Sequence, residues 1–334
     1  MRATLVLTVK NEAAFLLEWL AHHRTLGFTD VLAFSNHCSD GTDLMLDRLA
    51  ALGGLTHIRN DGPHEEGPQW AALKRADTHP LVREADWVLF ADIDEFVNVH
   101  AGAHRLPDLL TTLPQADAIT LTWRMFGNAG VVAYQDLPMM QQFIQAAPIS
   151  LGWPWRAQMF KTLFKPSYFR KLGVHRPKSP VPDAEARWFD GSGRPIALGQ
   201  RLFSDYTRDN YQLVQMNHYA LGAMESYLVK CDRGRANRDA SAFDMGYWVE
   251  RNLCEIPDRS IAALDSSAMR AELLADPVLG PLHQQAVAWR KARFAALMAE
   301  DPWRALFGRL LMTGPSRSLT AAEATLIHAH RPPG

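Results

Sequence analysis

The chain begins with a mostly apolar run that does not alternate, "ATLVLTV" from Ala3 to Val9. Continuous rather than alternating hydrophobicity marks a parallel strand covered on both faces. "NEAAFLLEWLAHHRTLGF" follows, with Ala13, Leu16, Leu17 and Leu20 at helical spacing and Gly27 as a stop. "DVLAFS" reads as a second strand, and "SDGTDLMLDRLAAL" opens a second helix after Gly41, with Leu46 and Leu49 inward. "LTHIRND" gives a short third strand, residues 68–83 a third helix and residues 87–91 a fourth strand. Four strand–helix alternations with short connections predict an α/β fold, a parallel doubly wound sheet with right-handed crossovers. Ligands of such sheets lie beyond the carboxyl ends of the strands. Three polar stretches fall there: residues 8–12, 35–42 and 92–95.

Past about Leu113 the alternation stops. Residues 117–127 read as another strand. "QMFKTLFKPSYF" reads as one more, with Met159, Lys161 and Leu163 on one face and Phe160, Thr162 and Phe164 on the other. Residues 175–200, rich in Pro, Gly and charge, read as a long loop. From Ala240 onward the pattern is of amphipathic helices, ending in a frayed tail, "HAHRPPG". This divides the chain into residues 1–240, a donor-binding half (1–100) and an acceptor half (101–240), and a helical region, 241–334.

Composition narrows the classes. With 334 residues the chain exceeds what one hydrophobic core comfortably fills, roughly 250–300. A 47% apolar and 21% charged composition is that of a soluble globular protein. A formal net charge of -1 does not favour nucleic acid as a partner. No apolar run approaches the ~18 residues that span a bilayer. The start of the chain is too soon interrupted, at Lys10, Asn11 and Glu12, for a secretory signal. Cys38, Cys231 and Cys254 form no framework or paired metal spacing, so a reducing cytoplasm is expected.

The chemistry concentrates in "DWVLFADIDEFVNV", where three carboxylates, Asp92, Asp94 and Glu95, interrupt an apolar segment. Buried acids need compensation. On an extended chain Asp92 and Asp94 share a face, and two hard oxygen donors suit Mg²⁺ or Mn²⁺. The bland alternative is a capped or salt-bridged turn.

Taken in order, "LVLTVKNE", "HHRTLGFTDVLAFSNHCSDGT", "VLFADIDEF" and "NHYALGAMESYLVKCDRG" resemble bacterial glycosyltransferases of family 2 type, nearest the D-x-D-E-F subgroup related to family 92. The resemblance runs from about Thr4 to Arg238. It implies a GT-A fold with a C-terminal helical extension, and metal-dependent, inverting transfer of a sugar from a nucleotide-diphosphate sugar to a glycan or other hydroxyl acceptor. It implies Asp92, Asp94 and His218 as the Mn²⁺ or Mg²⁺ ligands, with Glu95 in support. Thr8, Lys10, Asn11, Glu12, Asn36, Asp40 and Lys74 would line the nucleotide-sugar site, and Lys230, Arg233 and Arg235 would cover the diphosphate. Ser35 and Asn36 stand where the family usually has an Asp-Asn pair, which leaves the base open.

Trp123 and Phe126 are acceptor-side candidates, since sugars pack their C–H faces on aromatic rings, and His175 is another, with Arg170, Lys171 and Arg176 beside it in "FRKLGVHRPK", as a binder of an acidic sugar, a phosphate or the diphosphate itself. An inverting reaction needs a base, normally a carboxylate. Asp183 and Glu185 are the candidates, with Asp205 behind them. The competing readings are a degenerate, non-catalytic relative acting as a nucleotide-binding scaffold, and a nucleotidyltransferase. The second lacks the expected glycine-rich loop in "TVKNEAAF". The C-terminal helices are expected to cap the fold, form a homodimer or rest on the inner face of the membrane.

Overall fold

The computed structural model describes residues 1–197, 199, 201–234 and 244–329. Arg235 and the tail from His330 to Gly334 lie outside the described residues.

The first half follows the apolar pattern closely. The order is β1 (Ala3–Val9), α1 (Ala13–Leu26), β2 (Asp30–Ser35), α2 (Thr42–Ala51), β3 (Thr56–Arg59), α3 (Pro68–Ala76), α4 (Pro80–Arg83), β4 (Trp87–Phe90) and β5 (Glu95–Val99). α1 stops at Gly27, whose φ of 120° suits a residue without Cβ. The helix expected over residues 68–83 is two helices. Pro80 has no N–H to continue the first, and it starts the second with the His79 side chain accepting from Leu81 N.

The sequence continues with α5 (Leu106–Thr112), β6 (Ala118–Met125), α6 (Met139–Gln142), β7 (Gln145–Ala146), β8 (Phe160–Phe164), β9 (Phe169–Lys171) and β10 (Lys178–Pro180). It ends with β11 (Trp188–Phe189), β12 (Pro195–Ile196), β13 (Val214–His218), α7 (Met224–Arg233), α8 (Met245–Val249), β14 (Ile256–Pro257), α9 (Ser267–Ala275), α10 (Leu279–Leu297), α11 (Asp301–Met312) and α12 (Ala321–His328). The segment 175–200, expected as loop, contains β10, β11 and β12. The last two extend the main sheet. They are two residues each, too short for a periodicity to show.

The central sheet runs β12-β11-β6-β8-β4-β1-β2-β3. β3, β2, β1 and β4 are mutually parallel, and β8 lies antiparallel between β4 and β6. β13 runs parallel to β6 and antiparallel to β5. This is a mixed α/β architecture, mostly parallel and flanked by helices, the GT-A arrangement expected. The non-alternating run of β1 is explained by two cores. Leu5 and Leu7 face one with α1 and α2, while Val6 faces the other with Ala72 and Leu73 of α3.

The C-terminal helices pack back on the sheet domain. α9 and α10 lie against α1, α10 against α2 and α7, and α11 against α7. Leu279, Ala286 and Val287 of α10 belong to the same core as β1 and α1. Arg48 of α2 makes a bidentate pair with Asp276, at 3.1 and 2.6 Å. Among the described residues no helix is long and apolar enough to cross a membrane.

Candidate active site

β4 ends at Phe90, and the chain turns before β5 begins at Glu95. Glu95 N donates to Asp92 O at 3.1 Å. The indole Nε1 of Trp19 donates to the carbonyls of Asp92 and Glu95, at 3.1 and 3.0 Å. The acids therefore sit in a tight turn, not on the extended chain whose alternation would have placed Asp92 and Asp94 side by side.

The turn sends the three carboxylates to different partners. Asp92 Oδ2 accepts from Lys161 Nζ at 2.8 Å, and its Oδ1 accepts from Gln69 Nε2 at 3.5 Å. Glu95 is wholly buried. Its Oε1 accepts from Trp123 Nε1 at 2.7 Å, and its Oε2 from Asp92 N at 2.8 Å, with Lys161 Nζ 3.3 Å away. Asp94 Oδ2 accepts from Lys230 Nζ at 2.6 Å and lies 3.7 Å from His218 Nε2. Two lysines thus compensate the acids.

Lys161 is itself fully buried, with its ammonium 4.6 Å from the centre of the Phe90 ring. Burial alone would lower its pKa, but Asp92 and Glu95 outweigh that and hold it above the usual lysine value. Burial pushes the Glu95 carboxyl up. Burial would raise Asp94 too, yet Lys230 and His218 hold it well below the carboxylate range.

Of these groups Asp92, Asp94, Trp123, His218 and Lys230 open on a cavity of about 650 Å³ at the carboxyl ends of β1, β4 and β13. Thr8 lines it, and its buried Oγ1 has no hydrogen-bond partner among the described residues. Arg156, Lys230, Arg233 and Arg251 supply positive charge, and Asp244 and Glu250 add carboxylates. The Trp123 ring packs between two imidazoles, 4.4 Å from His218 and 5.4 Å from His175. Burial, with Lys161 adding, drops His175 to about 4, so its ring is neutral near pH 7.

Among the described residues no group of three His, Cys, Asp or Glu converges to hold a metal alone. Asp94 and His218 supply one carboxylate and one imidazole at one point of the cavity. That donor set fits a divalent cation whose remaining positions are filled by phosphate oxygens and water. It is not a closed protein cage.

Of the residues singled out in the sequence, Thr8, Lys10, Asp92, Asp94, Trp123, His175, His218, Lys230 and Arg233 reach this cavity. Others are engaged elsewhere. Glu12 is buried between Arg233 and Arg290, the latter at 2.7 Å. Asp40 accepts from the backbone of Ala13 and Thr42 and joins the starts of α1 and α2. Asn11 takes a positive φ of 51° and accepts from Ser39 N at 2.7 Å, beside a second cavity. Asn36 lies past the end of β2 and does not line the main cavity. Lys74 is exposed and pairs with Glu66. Phe126 is a core residue against Tyr219. Asp183 and Glu185 are exposed and away from the cavity, and Asp205 caps a turn at Thr207.

Sequence reasoning missed Lys161, Arg156, Glu250 and Arg251. Only Lys161 carried a signal, as a lone lysine on a strand apolar on both faces.

A family model described as "Glycosyltransferase family 92" matches residues 7–192. A curated glycosyltransferase family 92 protein of Ricinus communis is 29% identical over 104 residues, 30% of this chain and 16% of that protein's length. Among solved structures, residues 1–349 of TarS from S. aureus align at 15% identity and a TM-score of 0.32, covering 50% of this chain and 48% of that one. Glucosyl-3-phosphoglycerate synthase from Mycobacterium tuberculosis, in complex with Mn²⁺, uridine-diphosphate and glucosyl-3-phosphoglycerate, aligns at 17% identity and a TM-score of 0.25, covering 37% and 44%. The match thus spans less than a fifth of the curated relative and about half of the TarS chain.

Proposed function

The chain belongs to glycosyltransferase family 92, and on that premise we propose that it moves a sugar from a nucleoside-diphosphate donor to an acceptor hydroxyl on a glycan, in surface polysaccharide or glycoconjugate synthesis. The observation that carries the reading is the cavity itself. It joins the acidic turn after β4 to a cluster of cations at the carboxyl edge of the sheet.

The nucleoside takes the β1 side, where the Thr8 hydroxyl is unpartnered and Gln69 reaches Asp92. Lys230, Arg233 and Arg251 face the diphosphate and neutralise it, Arg through paired N–H donors. Asp94 and His218 would hold Mn²⁺ or Mg²⁺, which as a Lewis acid stabilises charge on the departing diphosphate. Lys230 is then a shared group, releasing Asp94 as it turns to the phosphates. Lys161 keeps the turn in place from below through Asp92 and Glu95.

Transfer is inverting in this reading, with Glu250 as the base. The acceptor oxygen bonds to the anomeric carbon as the bond from that carbon to the phosphate oxygen breaks. The electron pair leaves with the diphosphate, and the acceptor's proton goes to Glu250. Glu250 lines the cavity, its Oε2 3.5 Å from both Arg156 and Arg251. Asp244, the other carboxylate on that wall, is committed to capping α8, its Oδ1 accepting from Tyr247 N at 2.9 Å.

The test is turnover of a panel of UDP-, GDP- and dTDP-sugars by the wild type and by Glu250→Gln. The variant should lose about 10²–10⁴-fold in kcat while its nucleotide affinity stays unchanged. An unaltered kcat removes Glu250 from the role. Nucleotide binding without turnover of any donor by the wild type would instead favour a scaffold.

A further inference from the structure

α10 lends no side chain to the lining of the main cavity, yet one of its residues is built into the cavity's support. Arg290 is buried, its guanidinium 4.5 Å from the centre of the Phe15 ring. Its Nη1 donates to Ser226 Oγ at 2.8 Å, and Ser226 lies one turn before Lys230 on α7. Its Nη2 donates to Glu12 Oε2 at 2.7 Å. The other oxygen, Oε1, accepts from Arg233 Nη1, which also donates to Lys10 O at 3.0 Å. One carboxylate thus stands between two guanidiniums. Because Arg290 takes Oε2, Arg233 grips Glu12 through one nitrogen rather than two, and its Nε is buried with no partner among the described residues. Arg233, which lines the cavity, therefore keeps part of its charge and an unused donor.

We infer that Arg290 is a positioning residue of the donor site: by occupying one oxygen of Glu12 it leaves Arg233 charged and oriented for a diphosphate. The inference rests on the transferase reading and adds to it a residue of the C-terminal helices, outside the residues 7–192 of the family match. Without Arg290, Glu12 Oε2 would be a buried acceptor with no donor, a costly state. Arg233 Nε is the donor left to satisfy it. The two-point pair so formed would neutralise Arg233 and turn it from the phosphates. A purely structural Arg290 would act through stability, and the charge of Glu12 would not matter to its effect on binding.

The probe is whichever of UDP, GDP and dTDP the full-length wild type binds most tightly with Mn²⁺. It is titrated by calorimetry into the wild type, Arg290→Met, Arg290→Lys and the double variant Glu12→Gln/Arg290→Met. Arg290→Met should lose about tenfold in affinity, and Arg290→Lys should keep most of it. The double variant should recover the loss, because a neutral amide at position 12 no longer holds Arg233 as an ion. Phenylglyoxal modification of Arg233, followed by peptide mass spectrometry without nucleotide, should slow in Arg290→Met and return to the wild-type rate in the double variant. Near-ultraviolet circular dichroism checks each fold, and an Arg290→Met protein that fails it is replaced by Arg290→Gln. Wild-type affinity in Arg290→Met, a loss that Glu12→Gln does not restore, or an unchanged phenylglyoxal rate would each overturn the inference. Binding of none of the three nucleotides by the wild type would count against the donor reading instead, and the phenylglyoxal rates would still decide whether Arg290 sets the state of Arg233.

Discussion

At the scale of single residues, the site turns on how three neighbouring acids are kept charged or silent. Lys161 is the least dispensable of their partners, because it stands wholly buried between Asp92 and Glu95. Removing one partner of a buried ion pair leaves the other uncompensated, typically at about 3–5 kcal/mol. Lys161→Met should therefore destabilise the fold by that order in denaturant titrations, and Lys161→Arg by less. A Met variant as stable as the wild type would show that Glu95 is neutral and needs no cation. Asp92, Asp94 and Glu95 were legible in the sequence as neighbouring acids in an apolar segment that need compensation. Their partners were not, because Lys161 lies 69 residues from Asp92 and Lys230 lies 136 from Asp94. Pairing of that kind is set by strand order, which a local pattern does not encode.

At the scale of elements, α1 illustrates what periodicity reveals and what it hides. Its bounds follow from apolar spacing and Gly27, but it also buries His22 and His23, which spacing alone presents as polar. His22 Nε2 donates to Val97 O at 2.7 Å and ties α1 to β5, the strand after the acidic turn. Burial drops the His22 pKa to about 4, from 6.5 in an unfolded chain, and that of His23 well below its usual value. Both are neutral in the fold, so between these pH values the unfolded state binds more protons. Stability is therefore full above about pH 6.5 and falls as pH drops towards 4. For His22 alone the loss at pH 5 is about 2 kcal/mol. Urea titrations at pH 7 and pH 5 should show a loss that Tm measurements on His22→Gln reproduce less steeply. Equal slopes would assign the acid sensitivity to other groups. The division of α3 from α4 at Pro80 and the short strands β11 and β12 mark the opposite limit. The first follows from the missing N–H of Pro80, a local signal that the apolar period overrides, and the second from pairings too short to leave a period.

At the scale of the whole molecule, the C-terminal helices are part of the fold's core. Arg290 of α10 reaches Glu12 at the start of α1, and Glu12 also holds Arg233 at the cavity edge. The ion pair Arg293–Asp232, at 2.7 and 2.6 Å, repeats the link one turn further on. Of the expected roles, capping is the one that these contacts display. Deleting residues 276–334 would expose the apolar faces of α1 and α7 and strand Glu12 with half its charge compensation. The truncated protein should be insoluble or lose its cooperative unfolding transition, seen by gel filtration and calorimetry. A soluble, monomeric truncation with wild-type nucleotide affinity would separate these helices from the donor site. The parallel half-sheet and its ligand edge were readable from strand–helix alternation. The cations Arg156 and Arg251 were not, since they come from irregular segments brought to the cavity only by the fold.

The proposed donor site at the acidic turn is tested most directly by calorimetric titration of UDP, GDP and dTDP, with and without Mn²⁺, into the wild type and Asp94→Ala. The expected result is tight binding of one nucleoside diphosphate that weakens at least tenfold without Mn²⁺, and loss of that metal dependence in Asp94→Ala. Binding of none of the three, or binding by Asp94→Ala with wild-type affinity and metal dependence, would contradict it.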